Sequence, residues 1–129
     1  MTKTFLTLLI TLSLAAISFS AFARDPEIRL YKMTLDGHSE KYLLFGKADN
    51  PGCHNTPYRY KVYKVAVLAF KTCSVYSEKD CQPDSILPAY WKKKQKKSST
   101  KMKPGTRWYL ARDESEVGVS SWSCELKQP

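Results

Sequence analysis

Four cysteines, Cys53, Cys73, Cys81 and Cys124, follow an N-terminal segment that carries the marks of an export signal. Together these features constrain the fold more than any other. Lys3 gives the segment a positive start, Phe5 to Phe19 is almost wholly apolar, and Ala21-Phe22-Ala23 supplies the small-x-small pattern that a signal peptidase reads. Cleavage after Ala23 divides the chain into a signal peptide, residues 1–23, and one mature domain, residues 24–129. The competing possibility is an uncleaved anchor, since the apolar stretch is just long enough to span a bilayer. The small residues crowding its C-terminal end favour cleavage, and no transmembrane segment then remains. An even number of cysteines in a small exported chain points to two disulfides, with three possible pairings. A zinc site would need a tighter ligand pattern: there is no C-x-x-C pair, and His54 is the only histidine beside a cysteine. No cofactor is expected. The chain is placed in the periplasm or among secreted proteins, as a monomer.

A single small domain buries a modest core, so the staples matter. The mature sequence alternates in short runs. Ile28 to Met33 is followed by an Asp36-Gly37 turn, and Tyr42 to Phe45 is a second short strand. Asp49-Asn50-Pro51-Gly52 is a loop signal. Tyr58 to Phe70 is rich in Val and Tyr, which suit a half-buried pleated surface. Thr72 to Tyr76, Ile86 to Trp91, Thr106 to Ala111 and Val119 to Leu126 complete the set. No stretch combines helical apolar spacing with caps. About eight short strands separated by turns predict an all-β fold, a small sandwich or barrel.

One segment stands apart in composition. Lys92 to Lys103 holds seven lysines (Lys92, Lys93, Lys94, Lys96, Lys97, Lys101 and Lys103) and no acid, in a chain of net charge +9. Self-repulsion predicts an extended, mobile connection. Functionally it is an electrostatic patch for an acidic protein, an anionic glycan or a lipid headgroup; otherwise it is a solvated loop that keeps the protein soluble. Nucleic acid ranks low, because an exported protein rarely meets it. Trp91 just before the run and Trp108 just after it place aromatic faces beside cations, which suits sugar or headgroup contact. Both also read as ordinary strand residues.

The order of features becomes specific along the chain. Leu30-Tyr31 precedes a turn ending at Gly37; then come Gly52-Cys53-His54-Asn55, Lys61-Val62-Tyr63-Lys64-Val65, Cys73-Ser74-Val75-Tyr76, Asp80-Cys81-Gln82, and finally Val119-Ser120-Ser121-Trp122-Ser123-Cys124. This order resembles the small secreted βγ-crystallin-like proteins over residues 28–126. The resemblance implies a Greek-key β-sandwich of about eight strands with two disulfides, Cys73–Cys81 and Cys53–Cys124. In the chain-entropy picture those closures would contribute roughly 2.5 and 4 kcal/mol. Many members of this superfamily bind calcium through paired loops, and here the sequence departs from the pattern. Glu116-Val117-Gly118-Val119-Ser120-Ser121 carries Val117 where an oxygen donor is expected, and Arg59-Tyr60-Lys61-Val62-Tyr63-Lys64 has three cations and no carboxylate. Calcium takes six to eight oxygen ligands, so no high-affinity calcium site is expected. Asp36, Cys81 and Pro83 also depart from the aromatic-glycine signature of the family's hairpins.

No catalytic constellation emerges. His38 sits in a polar turn beside Ser39 and Glu40, His54 lies in a loop, and Asp113, Glu114 and Glu116 form a solvated acidic turn. No nucleophile elbow is present, and oxidised cysteines offer no thiolate. The sequence therefore predicts an exported, non-enzymatic binding protein, of the inhibitor or immunity type, that meets an acidic partner through its lysine run. The alternative is a cationic, membrane-active antimicrobial or toxin-like protein.

Overall fold

A computed structural model describes residues 25–45, 52–91 and 97–128. Residues 1–23, read above as an export signal, lie outside these. Seven strands form two antiparallel sheets: β1 (Glu27–Met33), β2 (Ser39–Phe45), β3 (Gly52–Val62), β4 (Lys64–Leu68), β5 (Phe70–Tyr76), β6 (Arg107–Tyr109) and β7 (Val117–Leu126). One sheet has the order β2-β1-β4-β6 and the other β3-β7-β5. Their inner faces make one core, an all-β sandwich.

Alternation selects the core residues. Ile28 and Leu30 of β1 and Val65 and Val67 of β4 point inward, while Arg29, Tyr31, Lys64 and Ala66 between them do not. Phe70, Cys73, Val75, Val119, Trp122 and Cys124 face them from the second sheet. Val119 and Trp122 are three residues apart and both buried, so β7 must shift its pleat at Ser120-Ser121. On the partner strand the register slips between Asn55 and Tyr60. Thr56, buried at this irregularity, donates to the Ser120 carbonyl at 3.0 Å.

The Val- and Tyr-rich run from Tyr58 to Phe70 is not one strand. It crosses from sheet to sheet twice, at Tyr63 and again at Ala69. Ala69 takes φ +61°, the left-handed conformation in which a small side chain costs least at such a corner. The Asp36-Gly37 turn forms as expected, with Gly37 at φ +83° and its N–H donating to the Thr34 carbonyl.

The two halves of the chain repeat one connectivity. In the first, β2, β1 and β4 lie side by side while β3 sits in the opposite sheet. In the second, Ser85–Leu87 runs along the outer edge of β5, with Ser77 N–H donating to Ser85 O and Leu87 N–H to Val75 O. This edge segment, β5 and β7 lie side by side while β6 sits opposite.

The disulfides are Cys53–Cys81 and Cys73–Cys124, not Cys73–Cys81 and Cys53–Cys124. Strand parity explains the difference. Cys73 stands directly across from Cys124 in the β5–β7 register, so the two share the inner face with Cα atoms 4.1 Å apart. Cys53 stands across from Ser123, one residue from Cys124 and therefore on the opposite face. Cys81 lies in a 3-10 turn, Lys79–Cys81, beyond the end of β5. That turn folds over the outer face of β7, where the Cys81 N–H donates to Ser121 Oγ at 3.0 Å, and Cys53 meets it there. Cys73 could not reach Cys81, because its side chain points into the core while Cys81 lies over the outer face of the same sheet.

Peptide mapping of the non-reduced protein is expected to recover Cys53 joined to Cys81 and Cys73 joined to Cys124. A Cys73–Cys81 peptide would contradict this register. Replacing Cys73 and Cys124 together by alanine is expected to lower the stability measured in urea by about 4 kcal/mol, from lost loop closure.

Candidate functional site

The lysine run is held at its base by three backbone clasps. Ala89 and Ser99 exchange a pair of hydrogen bonds at 2.9 Å. Tyr90 pairs with Tyr109 on β6, at 2.8 Å in both directions. Met102 pairs with Cys73 on the free edge of β5, at 2.7 and 2.9 Å. These clasped segments thus join the edges of both sheets on one flank of the sandwich.

Met102 is the anchor that the composition concealed. It is 1 % exposed and belongs to the core, so its neighbours Lys101 and Lys103 are turned outward by alternation. The expectation of an extended, mobile connection therefore does not hold for Ser99 to Lys103. Ser74 Oγ donates to the Thr100 carbonyl at 2.6 Å, and Ser99 Oγ accepts from the Lys101 N–H at 3.2 Å. Lys101 Nζ also lies 3.5 Å from a Glu125 carboxylate oxygen, a solvent-exposed pair worth little in stability. Lys97 is exposed. Lys92, Lys93, Lys94 and Lys96 lie outside the described residues.

Beneath the run, Trp91, Trp108, Lys101, Lys103 and Thr106 line a cleft of about 400 Å³. The two tryptophans flanking the run in sequence thus meet at one site. They differ in environment. Trp91 is 46 % exposed, whereas Trp108 is 9 % exposed and its indole N–H donates to the Lys103 carbonyl at 2.9 Å. Trp108 is both a core residue and the fixed wall of the cleft, and its hydrogen bond positions the Lys103 backbone. The Arg112 guanidinium, 5.4 Å from the Tyr90 ring centre, adds a cation near the same flank.

A second cleft, about 620 Å³, opens on the opposite flank, where β2 and β3 are the outer strands of their sheets. Tyr42, Tyr58, Tyr60, Lys32, Arg59 and Lys61 line it. Its residues come from three strands, so no single stretch of sequence announces it. The one local signal is Tyr58-Arg59-Tyr60-Lys61, an aromatic-cation alternation that otherwise reads as an ordinary strand. The Lys32 ammonium is held above its usual pKa by its hydrogen bond to Glu40, at 3.2 Å, and by Tyr42.

The residues weighed for chemistry are dispersed. His38 is exposed in the β1–β2 turn, with Nε2 3.9 Å from Asp36. His54 stacks on Trp122 with ring centres 4.5 Å apart. The Asp113 carboxyl sits below its ordinary range because the Ser115 hydroxyl and N–H bond to it. The two segments that the family pattern marks as calcium loops are adjacent strands: Tyr60 pairs with Val119 and Lys61 with Gly118. The Arg59 side chain crosses Gly118, where a Cβ would collide with its Nε. Among the described residues, no group of three or more His, Cys, Asp or Glu side chains is placed to hold a metal. No helix among them is long and apolar enough to cross a membrane.

No family model, no curated protein and no solved structure matches this chain.

The two tryptophans should separate in mutagenesis. Trp108→Ala is expected to cost about 3 to 5 kcal/mol in chemical denaturation, as a large core side chain does. Trp91→Ala, at an exposed position, should change stability by less than about 1 kcal/mol.

Proposed function

We propose that this protein is an exported, non-enzymatic binding protein, acting in the periplasm or outside the cell, that receives an acidic partner on the lysine run and the tryptophan cleft beneath it. The observation that carries this reading is the convergence of Trp91, Trp108, Lys101 and Lys103 on one cleft at the root of the run. An exposed aromatic face beside fixed cations is a surface on which an anionic group gains both Coulomb attraction and stacking. The lysines steer the encounter, and the clasped base gives it a defined footprint. Export is supported by the Ala21-Phe22-Ala23 motif and by the pairing of all four cysteines, since disulfides persist in oxidising compartments.

The βγ-crystallin-like family remains our reading of its ancestry. It is supported by the repeated connectivity of the two halves, in which three strands lie together and the third in sequence passes to the opposite sheet. In that family's terms, this chain would carry two Greek-key units whose metal loops have become a strand pair crossed by Arg59.

The test uses polyglutamate as a defined acidic partner. Binding is expected at low ionic strength and should weaken by roughly tenfold on approaching physiological salt, as exposed charge pairs are screened. Changing Lys92, Lys93, Lys94, Lys96 and Lys97 to Glu should abolish it, and Trp91→Ala should weaken it without loss of fold. Binding unchanged by the five-lysine reversal would refute the assignment. Leakage of anionic vesicles at low salt would instead favour the membrane-active alternative.

A further inference from the structure

We infer that the tyrosine-lined cleft on the opposite flank is a binding site for an anionic glycan, separate from the lysine run. The inference does not rest on the function proposed for that run.

The geometry comes from both sheets. Tyr42 on β2 and Tyr60 on β3 lie parallel, with ring centres 4.1 Å apart and an interplanar angle of 0°. They bridge the outer strands of the two sheets, on the flank opposite the backbone clasps of Ala89, Tyr90 and Met102. Tyr58 stands 6.5 Å from Tyr60, inclined at 49°, so the cleft has a second aromatic plane at an angle to the first. Tyr58 is 75 % exposed and Met33 on the rim is 41 % exposed. A rigid aromatic face left in water on a stapled domain is a cost that a ligand can recover.

The polar groups around these faces are mostly cationic. Lys32 lies 5.2 Å from the Tyr42 ring centre and pairs with Glu40. Arg59 lies across Gly118, with its guanidinium 4.0 Å from Glu78. Lys61 has no carboxylate partner among the described residues. Among the described residues that line the cleft, Glu116 is the single acid. Gly118 is part of the design: only a residue without a side chain lets Arg59 lie flat there and reach the cleft.

Angled aromatic planes, phenol hydroxyls and cations in one open groove match the chemistry of a charged sugar. The ring offers an apolar C–H face for stacking, its hydroxyls pair with the phenols, and its carboxylate or sulfate meets Lys61 and Arg59. A bilayer is flat, whereas this groove is concave. The groove is open rather than enclosed, so it suits a chain lying along it more than a single buried sugar.

Calorimetric titration with polygalacturonate, which carries carboxylates, and with dextran sulfate tests the site. Methyl-esterified polygalacturonate serves as the uncharged control. The wild-type protein is expected to bind one or both charged polymers and to bind the esterified one at least about tenfold more weakly. Tyr58→Ala and Lys61→Glu, both exposed and compatible with an unchanged melting temperature, should each weaken binding by about tenfold, the loss expected for one anchoring residue. Lys101→Glu with Lys103→Glu, on the other flank, should leave glycan binding unchanged, and Tyr58→Ala should leave polyglutamate binding unchanged. Failure of both charged polymers to bind would overturn the inference. So would a Tyr58→Ala variant within twofold of wild type, or an equal loss in the Lys101/Lys103 variant, which would assign the glycan to the lysine run. A Tyr58-dependent affinity for polyglutamate would make the site a peptide groove instead.

Discussion

Cys73 joins two strands and the Met102 segment at one point. Its side chain is bonded to Cys124 of β7 inside the sandwich, and its backbone N–H and carbonyl are both taken by Met102 on the outer edge of β5. The disulfide fixes the β5–β7 register, on which the inward placement of Val75 against Trp122 depends. The backbone pair fixes Met102, and Met102 fixes Lys101 and Lys103 on either side of it. A change at Cys73 would therefore reach the charged surface through a single hydrogen-bonded step.

The two flanks of the sandwich are finished differently. On one, residues 85–90 and 99–102 cover the edges of β5 and β6, which protects those edges from unwanted pairing. On the other, β2 and β3 are the outer strands, and the stacked Tyr42 and Tyr60 rings cross from sheet to sheet. Each flank carries aromatic faces beside cations. The first is built around a clasped loop of dense charge, the second around a rigid aromatic corner with dispersed charge. That difference argues for different ligands, since a high charge density serves attraction and angled aromatic planes serve shape.

Much of the fold was legible in the sequence because period-two alternation survives where one face is buried. Ile28 and Leu30 and Val65 and Val67 alternate and are strand, and the Val-Ser-Ser-Trp-Ser-Cys ending reads as strand despite its pleat shift and is strand. What stayed hidden depended on parity and on long-range pairing. Cys53 and Cys124 lie in neighbouring strands, but which face each occupies turns on a one-residue offset that sequence spacing does not carry. The sheet switch at Ala69 is hidden for a similar reason: a single left-handed alanine leaves the apolar pattern almost unbroken. Met102 reads as one apolar residue in a lysine run, and only its pairing with Cys73 reveals it as core. The tryptophan cleft was legible because Trp91 and Trp108 flank the run in sequence. The tyrosine cleft was not, because Lys32, Tyr42 and Tyr58 belong to three separate strands.

The central claim is that the clasped base of the lysine run, rather than diffuse positive charge, receives an acidic partner. Titrating the isotopically labelled protein with polyglutamate and following its three tryptophan indole N–H resonances tests this most directly. The account predicts that the Trp91 and Trp108 signals shift together and saturate, while the Trp122 signal, buried against His54 and Val75, stays in place. Small shifts spread over surface lysines, with both cleft tryptophans unmoved, would contradict it.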